Sequence, residues 1–383
     1  MQIGFDAKRI YENKTGLGNY SRGIIEGLCQ FAPQHQYHLF APKKTTLFDE
    51  KKYAQIVLHL PKTFIQKKIK AYWRSKAVVH DIQQNKIDIF HGLSAELPFG
   101  IEKINVKTCV SIHDLIFEHY PNQYNKMDVY ISRYKTKYAC KIADKIIAIS
   151  EQTKKDLIEL YHVEESKIEV CYQSCDERFL EKKSEEDLLQ IKKKYDSPDT
   201  FFLYVGSIIE RKGLQKICEA ILLLEEKTSL VVIGNEQSDY AKKVKLFIAE
   251  NNLQTSIIFL NEQAKKNNIQ EISTDDLVSI YQNAKALIYP SLYEGFGIPI
   301  LEAMSCGLPV ITSNISSMSE VGGDAALYIN PLDTRDLANK MNQILNDKSL
   351  CEILKEKGLK RAQYFTKQHV AISMSKIYSM LGA

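Results

Sequence analysis

No stretch of the 383 residues is apolar over the ~18 positions that a membrane-spanning helix needs. The opening Met1-Gln-Ile-Gly-Phe-Asp6 lacks the basic-then-apolar pattern of an export signal and reads as a strand. The eight cysteines contain no CxxC pair. Only Cys171 and Cys175 fall near one another, which excludes zinc-site spacing and leaves free thiols of a reducing compartment as the expectation. Neither charge sign dominates: the formal net charge is +4, so nothing drives the chain onto nucleic acid. No short-period repeat is present. No DxD motif or His/Asp cluster suits magnesium or manganese, so neither a metal nor a resident cofactor is expected. These absences leave a cytoplasmic protein, at most peripheral at the inner face of the cell membrane.

What is present is the makeup of an ordinary globular protein, 44% hydrophobic and 26% charged, with length for two α/β domains. Short apolar runs alternate with longer helical patterns, which predicts parallel sheets flanked by helices. In the first half strands are expected at 2–5, 36–40, 87–91, 107–112, 145–148 and 167–171, with helices near 18–29, 124–141 and 150–161, the last capped by Ser150. A charged, apolar-poor stretch from Glu181 to Asp199 reads as a helix plus linker. A second series follows: strands at 201–205, 229–233, 257–260, 286–289 and 310–313, and helices near 214–224, 241–251, 275–283, 299–305, 333–346 and 349–364. Asp275-Asp276 reads as the N-cap and acidic first turn of its helix. The amphipathic end, 368–381, completes the chain. Two Rossmann-like domains facing across a cleft are the result, 1–180 and 181–365, with residues 366–383 crossing back to the first. Lys62 to Arg74 mixes basic and apolar residues; a solvated helix face is the expectation there, and a membrane-surface helix the alternative.

One segment concentrates the chemistry: Tyr289-Pro-Ser-Leu-Tyr-Glu294-Gly-Phe-Gly-Ile-Pro-Ile-Leu-Glu302-Ala-Met-Ser-Cys-Gly307-Leu-Pro309. A strand ends at Tyr289, and Gly295 and Gly297 allow positive φ and close approach of a ligand to the backbone. Pro299 suits the first turn of a helix, and Gly307 with Pro309 suits its end. A helix starting near Ile298 would turn its unpaired amides toward an anion such as a phosphate. Glu294 precedes that helix and Glu302 lies about one turn inside it, so each carboxylate can grip vicinal hydroxyls of a different sugar ring. A second constellation, Tyr204-Val-Gly206-Ser-Ile-Ile-Glu-Arg211-Lys212-Gly213, sets two cations just ahead of a helix, where they can neutralise a diphosphate.

The segment resembles the Glu-x7-Glu signature of retaining glycosyltransferase family 4, of the GT-B fold, through Pro290-Ser, Glu294-Gly-Phe-Gly-Ile-Pro, Glu302-Ala-Met and Gly307-Leu-Pro-Val. The resemblance spans nearly the whole chain and is weakest over 42–85 and 180–198. It implies that Glu294 contacts the transferred sugar, that Glu302 binds the nucleotide ribose, and that the backbone of Gly295, Phe296, Gly297 and Ile298 lies by the sugar and diphosphate. It places Arg211 and Lys212 at the diphosphate beside Gly206, where Ser207 stands in place of an arginine that many members carry. Thr15-Gly16-Leu-Gly18 is similar to the family's glycine loop near the diphosphate, with Gly16 and Gly18 as donor-binding positions. His113, in Ile112-His113-Asp114, resembles the family's active-site histidine, and His91 would line the acceptor side.

The implied reaction moves a hexose from a nucleotide-sugar donor to a hydroxyl of a saccharide or lipid-linked acceptor, with retention of the α configuration and without metal. The overall look is similar to bacterial mannosyltransferases of surface polysaccharide synthesis, so GDP-mannose is the first donor expected, with a UDP-hexose the alternative. The rival readings are another GT-B enzyme, such as a sugar-nucleotide epimerase or phosphorylase, and a non-catalytic nucleotide-sugar-binding protein.

Overall fold

The computed structural model describes residues 1–382. The chain divides into two compact units, one comprising Met1–Ser174 with the residues from Thr366 onward, the other Cys175–Phe365. The boundary therefore falls a few residues earlier than the sequence places it. The stretch read as linker belongs to the second unit. Its helix, Glu185–Tyr195, starts on a capping box between Ser184 and Asp187 and carries acids in the first turn and lysines in the last. Lys194 and Tyr195 both donate to Asp276 at 2.7 Å, fastening it to the helix Thr274–Asn283. The N-cap of that second helix is Ser273, whose hydroxyl accepts from the Asp276 amide; Asp275 and Asp276 form the first turn and not the cap.

In the first unit seven parallel strands, β1 (Gln2–Asp6), β2 (Gln36–Phe40), β3 (Ile56–His59), β4 (Ile89–Gly92), β5 (Lys107–Ile112), β6 (Lys145–Ala148) and β7 (Ile168–Val170), lie in the order β3-β2-β1-β4-β5-β6-β7. In the second, β8 (Phe201–Val205), β9 (Ser229–Ile233), β10 (Ile257–Phe259), β11 (Leu287–Tyr289), β12 (Val310–Ser313) and β13 (Ala326–Ile329) lie in the order β10-β9-β8-β11-β12-β13. In both sheets the strand order reverses between the first and fourth strands, β1/β4 and β8/β11. At such a switch point neighbouring crossovers leave in opposite directions and open a crevice at the carboxyl ends of the strands. Most strand residues are buried, because helices cover both faces of each sheet.

The second unit's main core gathers Phe202, Tyr204, Leu230 and Val232 from the sheet with Leu214, Ile217, Val244, Leu337 and Met341 from its helices. In the first unit Phe90, Val110, Ile112 and Ile146 pack with Trp73, Ile82, Ala139 and Leu157. The terminal helix, Lys367–Gly382, lies against the helix Gly16–Phe31 and is held by Lys367 to Glu26 at 3.1 Å. Gly27 permits the close approach, since a Cβ there would sit 3.0 Å from Lys367 Cγ. The expected return of the C-terminus to the first domain is thus present.

Candidate functional site in the second unit and its counterpart in the first

The second unit brings Arg211, Lys212 and Glu294 together at its switch point. β8 runs into Gly206, whose φ of +150° belongs to glycine. The following turn ends at Gly213, with φ +68°, where a Cβ would meet the Pro290 carbonyl oxygen at 2.8 Å. That contact presses the turn after β8 against the loop after β11, and the Leu292 amide donates to Arg211 O at 2.8 Å.

Buried Arg211 points its Nη1 at Glu294 Oε1, 2.9 Å away, and also donates to the Tyr293 carbonyl and to Ser291 Oγ at 3.3 Å. Lys212 Nζ lies 3.3 Å from the same carboxylate oxygen and donates to Tyr289 Oη at 2.8 Å. Ser291 Oγ donates to Glu294 Oε1 at 2.7 Å. Burial pushes the Glu294 carboxyl up, but the cations of Lys212 and Arg211, with hydrogen bonds from Ser291 and Tyr289, outweigh it and hold the group below the usual carboxylate range. Arg211 therefore fixes the loop, while partly exposed Lys212 is the more accessible cation.

The loop is tied from a third side. Ser317 Oγ donates to the carbonyls of Glu294 and Phe296, both at 2.9 Å, and Ser316 Oγ donates to Glu294 O at 2.9 Å. Ser291, Ser316, Ser317 and Tyr289 are site-shaping residues to which sequence reasoning assigned no role. Ser291 and Tyr289 stood inside the informative segment; Ser316 and Ser317 follow β12 with no local signal.

Gly297, at φ +110°, caps the helix Ile298–Ser305. Few of the amides expected there stay open. Pro299 has none, and those of Ile300 and Leu301 both turn back to Gly297 O, at 2.9 and 3.5 Å. Gly297 and Ile298 are the amides left for an anion. The Phe296 ring is buried against Phe365 at 5.6 Å, so only the backbone of Phe296, like that of neighbouring Gly295, is a candidate contact. Glu302 is set apart from Glu294: its Oε2 accepts from Tyr281 Oη at 2.8 Å. Burial pushes its carboxyl up to about 7, with Asp176 adding to the rise and Tyr281 and Lys212 opposing it. Tyr281, on the helix Thr274–Asn283, was not legible as a site residue.

In the first unit the predicted site residues, Gly16, Gly18 and His113, carry no charge. His113, just after β5, is buried; its Nε2 donates to Leu93 O at 2.9 Å, which leaves Nδ1 as the lone-pair nitrogen. The Tyr20 ring meets it edge-on at 4.5 Å. Burial, with help from the Arg9 charge, lowers its pKa to about 4, so it is neutral at pH 7. His91 does not line an acceptor surface. It is fully buried between Tyr378 Oη at 2.7 Å and Ser111 Oγ at 2.9 Å, joining β4 to the terminal helix. Gly18 is needed for packing, since a Cβ there would overlap Asn13 O at 1.9 Å. A Cβ on Gly16 meets nothing within 4 Å, so the missing side chain serves no packing role. Among the described residues no group of three or more His, Cys, Asp or Glu side chains is placed to hold a metal ion.

Two doubly wound parallel sheets, the second with cations and glycine turns at its switch point, define the class: an enzyme of the GT-B fold. Solved structures agree over nearly all of both chains. A glycosyltransferase from Rickettsia africae superposes with a TM-score of 0.74 at 19% identity, covering 99% of this chain and 98% of that one. The Anabaena protein HepE in complex with UDP-glucose gives 0.75 at 15% identity, covering 99% and 100%. The description "Glycosyltransferase Family 4" matches residues 15–178 and "Glycosyl transferases group 1" matches 185–361. A glycosyltransferase family domain thus covers most of each unit, and the chain is a glycosyltransferase. Among its relatives, O-antigen chain mannosyltransferase B of Escherichia coli is 25% identical over the full length of both chains. O-antigen chain mannosyltransferase RfbU of Salmonella typhimurium is 28% identical over 61% of this chain and 60% of that one.

Proposed function

We propose that this glycosyltransferase moves mannose, with GDP-mannose as donor, onto a hydroxyl of a saccharide or lipid-linked acceptor during surface polysaccharide synthesis. The relatives named above support the sugar and the pathway. The observation that carries the donor site is the convergence of Arg211 and Lys212 on Glu294, beside the helix start at Gly297 and Ile298. Departure of a nucleoside diphosphate puts negative charge on its oxygens as the anomeric carbon gains oxocarbenium character. Lys212, backed by Arg211 and the two amides, stabilises that charge with no reorganisation at the moment of bond breaking. Glu294, ionised and fixed by four donors, accepts from hydroxyls of the transferred sugar, and Glu302 accepts from the ribose. Gly16 gives a ligand close access to backbone, and neutral His113 offers Nδ1 as an acceptor for a sugar hydroxyl.

No carboxylate stands out as a nucleophile for double displacement, so the departing phosphate is assigned the acceptor's proton, with attack on the same face. Protein cations take the place of a metal, and turnover is expected to survive EDTA. The donor is tested by thermal shift against GDP-, UDP- and ADP-sugars, since a ligand bound only by the folded state raises its melting temperature. The largest shift is expected with GDP-mannose; a larger one with a UDP-hexose would reassign the base. Donor consumption only in the presence of acceptor distinguishes transfer from epimerisation.

A further inference from the structure

The segment expected to be an ordinary solvated helix face is unlike one. Between Pro61 and Trp73 no residue is buried, although the stretch contains Phe64, Ile65, Ile69 and Tyr72. Their exposures are 74%, 64%, 53% and 49%. An amphipathic helix of a soluble protein turns such side chains inward. Here they are held outward on two short helices, Phe64–Lys68 and Lys70–Tyr72. A capping box orders the first: Thr63 Oγ1 accepts from the Gln66 amide at 3.2 Å, and Gln66 Oε1 accepts from the Thr63 amide at 3.1 Å. So short a helix is marginal in water without a buried face.

The base of the segment is firmly anchored. Trp73 is fully buried and its Nε1 donates to Asp81 at 2.7 Å. Arg74 pairs with Asp6 through Nε at 2.9 Å and with Glu96 through Nη1 at 2.7 Å. The Phe99 amide donates to Ser75 O at 2.7 Å, and the Phe99 ring meets Tyr134 at 6.0 Å. Tyr134, Tyr130 and Met127, on the helix Lys126–Ile142, are 57%, 65% and 62% exposed. Phe99 thus links two exposed apolar clusters of the first unit.

Charge selects the occupant. Residues 53–80 include no Asp or Glu. Arg74 is paired, while Lys62, Lys67, Lys68, Lys70 and Lys76 enter no ion pair among the described residues. Five unneutralised cations interleaved with outward aliphatic and aromatic side chains would repel a second copy of the same patch. They match a surface with hydrocarbon below and negative charge above.

We infer that residues 62–76 of the first unit dock this protein on an anionic phospholipid surface, with Phe64, Ile65, Ile69 and Tyr72 entering the interface and the lysines at the headgroups. The inference stands apart from the choice of donor. It is tested by co-sedimentation of the full chain with vesicles of phosphatidylcholine containing phosphatidylglycerol, and with vesicles of phosphatidylcholine alone. Binding is expected only to the mixed vesicles and falls with salt. Each lysine near such a surface contributes about fivefold in affinity, so Lys67→Gln/Lys68→Gln/Lys70→Gln should lower partitioning on the order of hundredfold. Phe64→Ser/Ile65→Ser should lower it at least ~10-fold. All the altered side chains are exposed, and emission from Trp73, the sole tryptophan, reports whether the segment stays folded. Donor-induced thermal shift should be unchanged in both variants, which separates loss of docking from loss of the donor site. Equal binding to neutral vesicles, unchanged binding by either folded variant, or self-association of the wild type abolished by Phe64→Ser/Ile65→Ser would overturn the inference.

Discussion

Counted from each unit's own first strand, both sheets run third-second-first-fourth-fifth-sixth, the first unit adding a seventh, yet the side chains gathered by the two sheets differ. After β8 and β11 the second unit gathers two cations and a carboxylate, all paired. In the first unit His91, within β4, and His113, just after β5, are neutral and satisfied by hydroxyls and by a carbonyl, while the charges at the end of β1, Asp6 with Arg74, pair with one another. A pair of cations like the second unit's suits a diphosphate, whose charge must be met.

The sharpest test of that contrast is Arg211→Ala. It leaves buried Glu294 short of its partner and unpins the Tyr293 carbonyl, so a loss of about 3–5 kcal/mol is expected in denaturant unfolding, as for a broken buried ion pair, and turnover should collapse with it. Lys212→Ala should separate the two effects. It keeps the Arg211–Glu294 pair, so stability should fall far less, while kcat drops on the order of hundredfold, as when one electrostatic donor is removed. A drop in stability equal to that of Arg211→Ala would erase the distinction between a loop-fixing and a charge-stabilising cation.

Smaller effects come from titration. The Glu302 pKa near 7 lies above its unfolded value, so this group favours the folded state below about 4.5, and that contribution is lost as pH rises through 7. A donor that prefers ionised Glu302 should bind more tightly as pH rises through the same window, releasing a proton. Glu302→Gln should flatten both dependences, measured by thermal shift and by calorimetry in two buffers. Smallest is His113→Asn, expected to lower kcat about tenfold, within the range for a single hydrogen-bonding contact. Because His113 is already neutral above about pH 5, the wild-type rate should show no limb from it near 6.5. Such a limb, lost in His113→Asn, would show that His113 itself takes up a proton in that range.

Two strands escaped the sequence reading. β13 is four residues, Ala326–Ile329, and β3 is Ile56–His59; both are edge strands. Each is marked as a strand by its neighbour across the sheet, Ile311 and Thr312 aligning with Leu327 and Tyr328, and Leu39 with Leu58. The helix starts were more legible, because Ser150 and Asp333 are caps, and caps act through their own chain. His91 was misread for the opposite reason: nothing near it announces Tyr378, 287 positions away.

The order of apolar runs and helices, the glycine turns and the spacing of Glu294 and Glu302 were settled by the sequence itself, because propensity, capping and positive φ are properties of a few neighbouring residues. Which charges meet was decided only by tertiary structure. Arg211 and Glu294 are 83 residues apart and join because β8 and β11 are neighbours in the sheet. The pKa of Glu302, the neutrality of His113 and the outward turn of Phe64 likewise depend on what surrounds each side chain, and burial is a property of the folded chain as a whole.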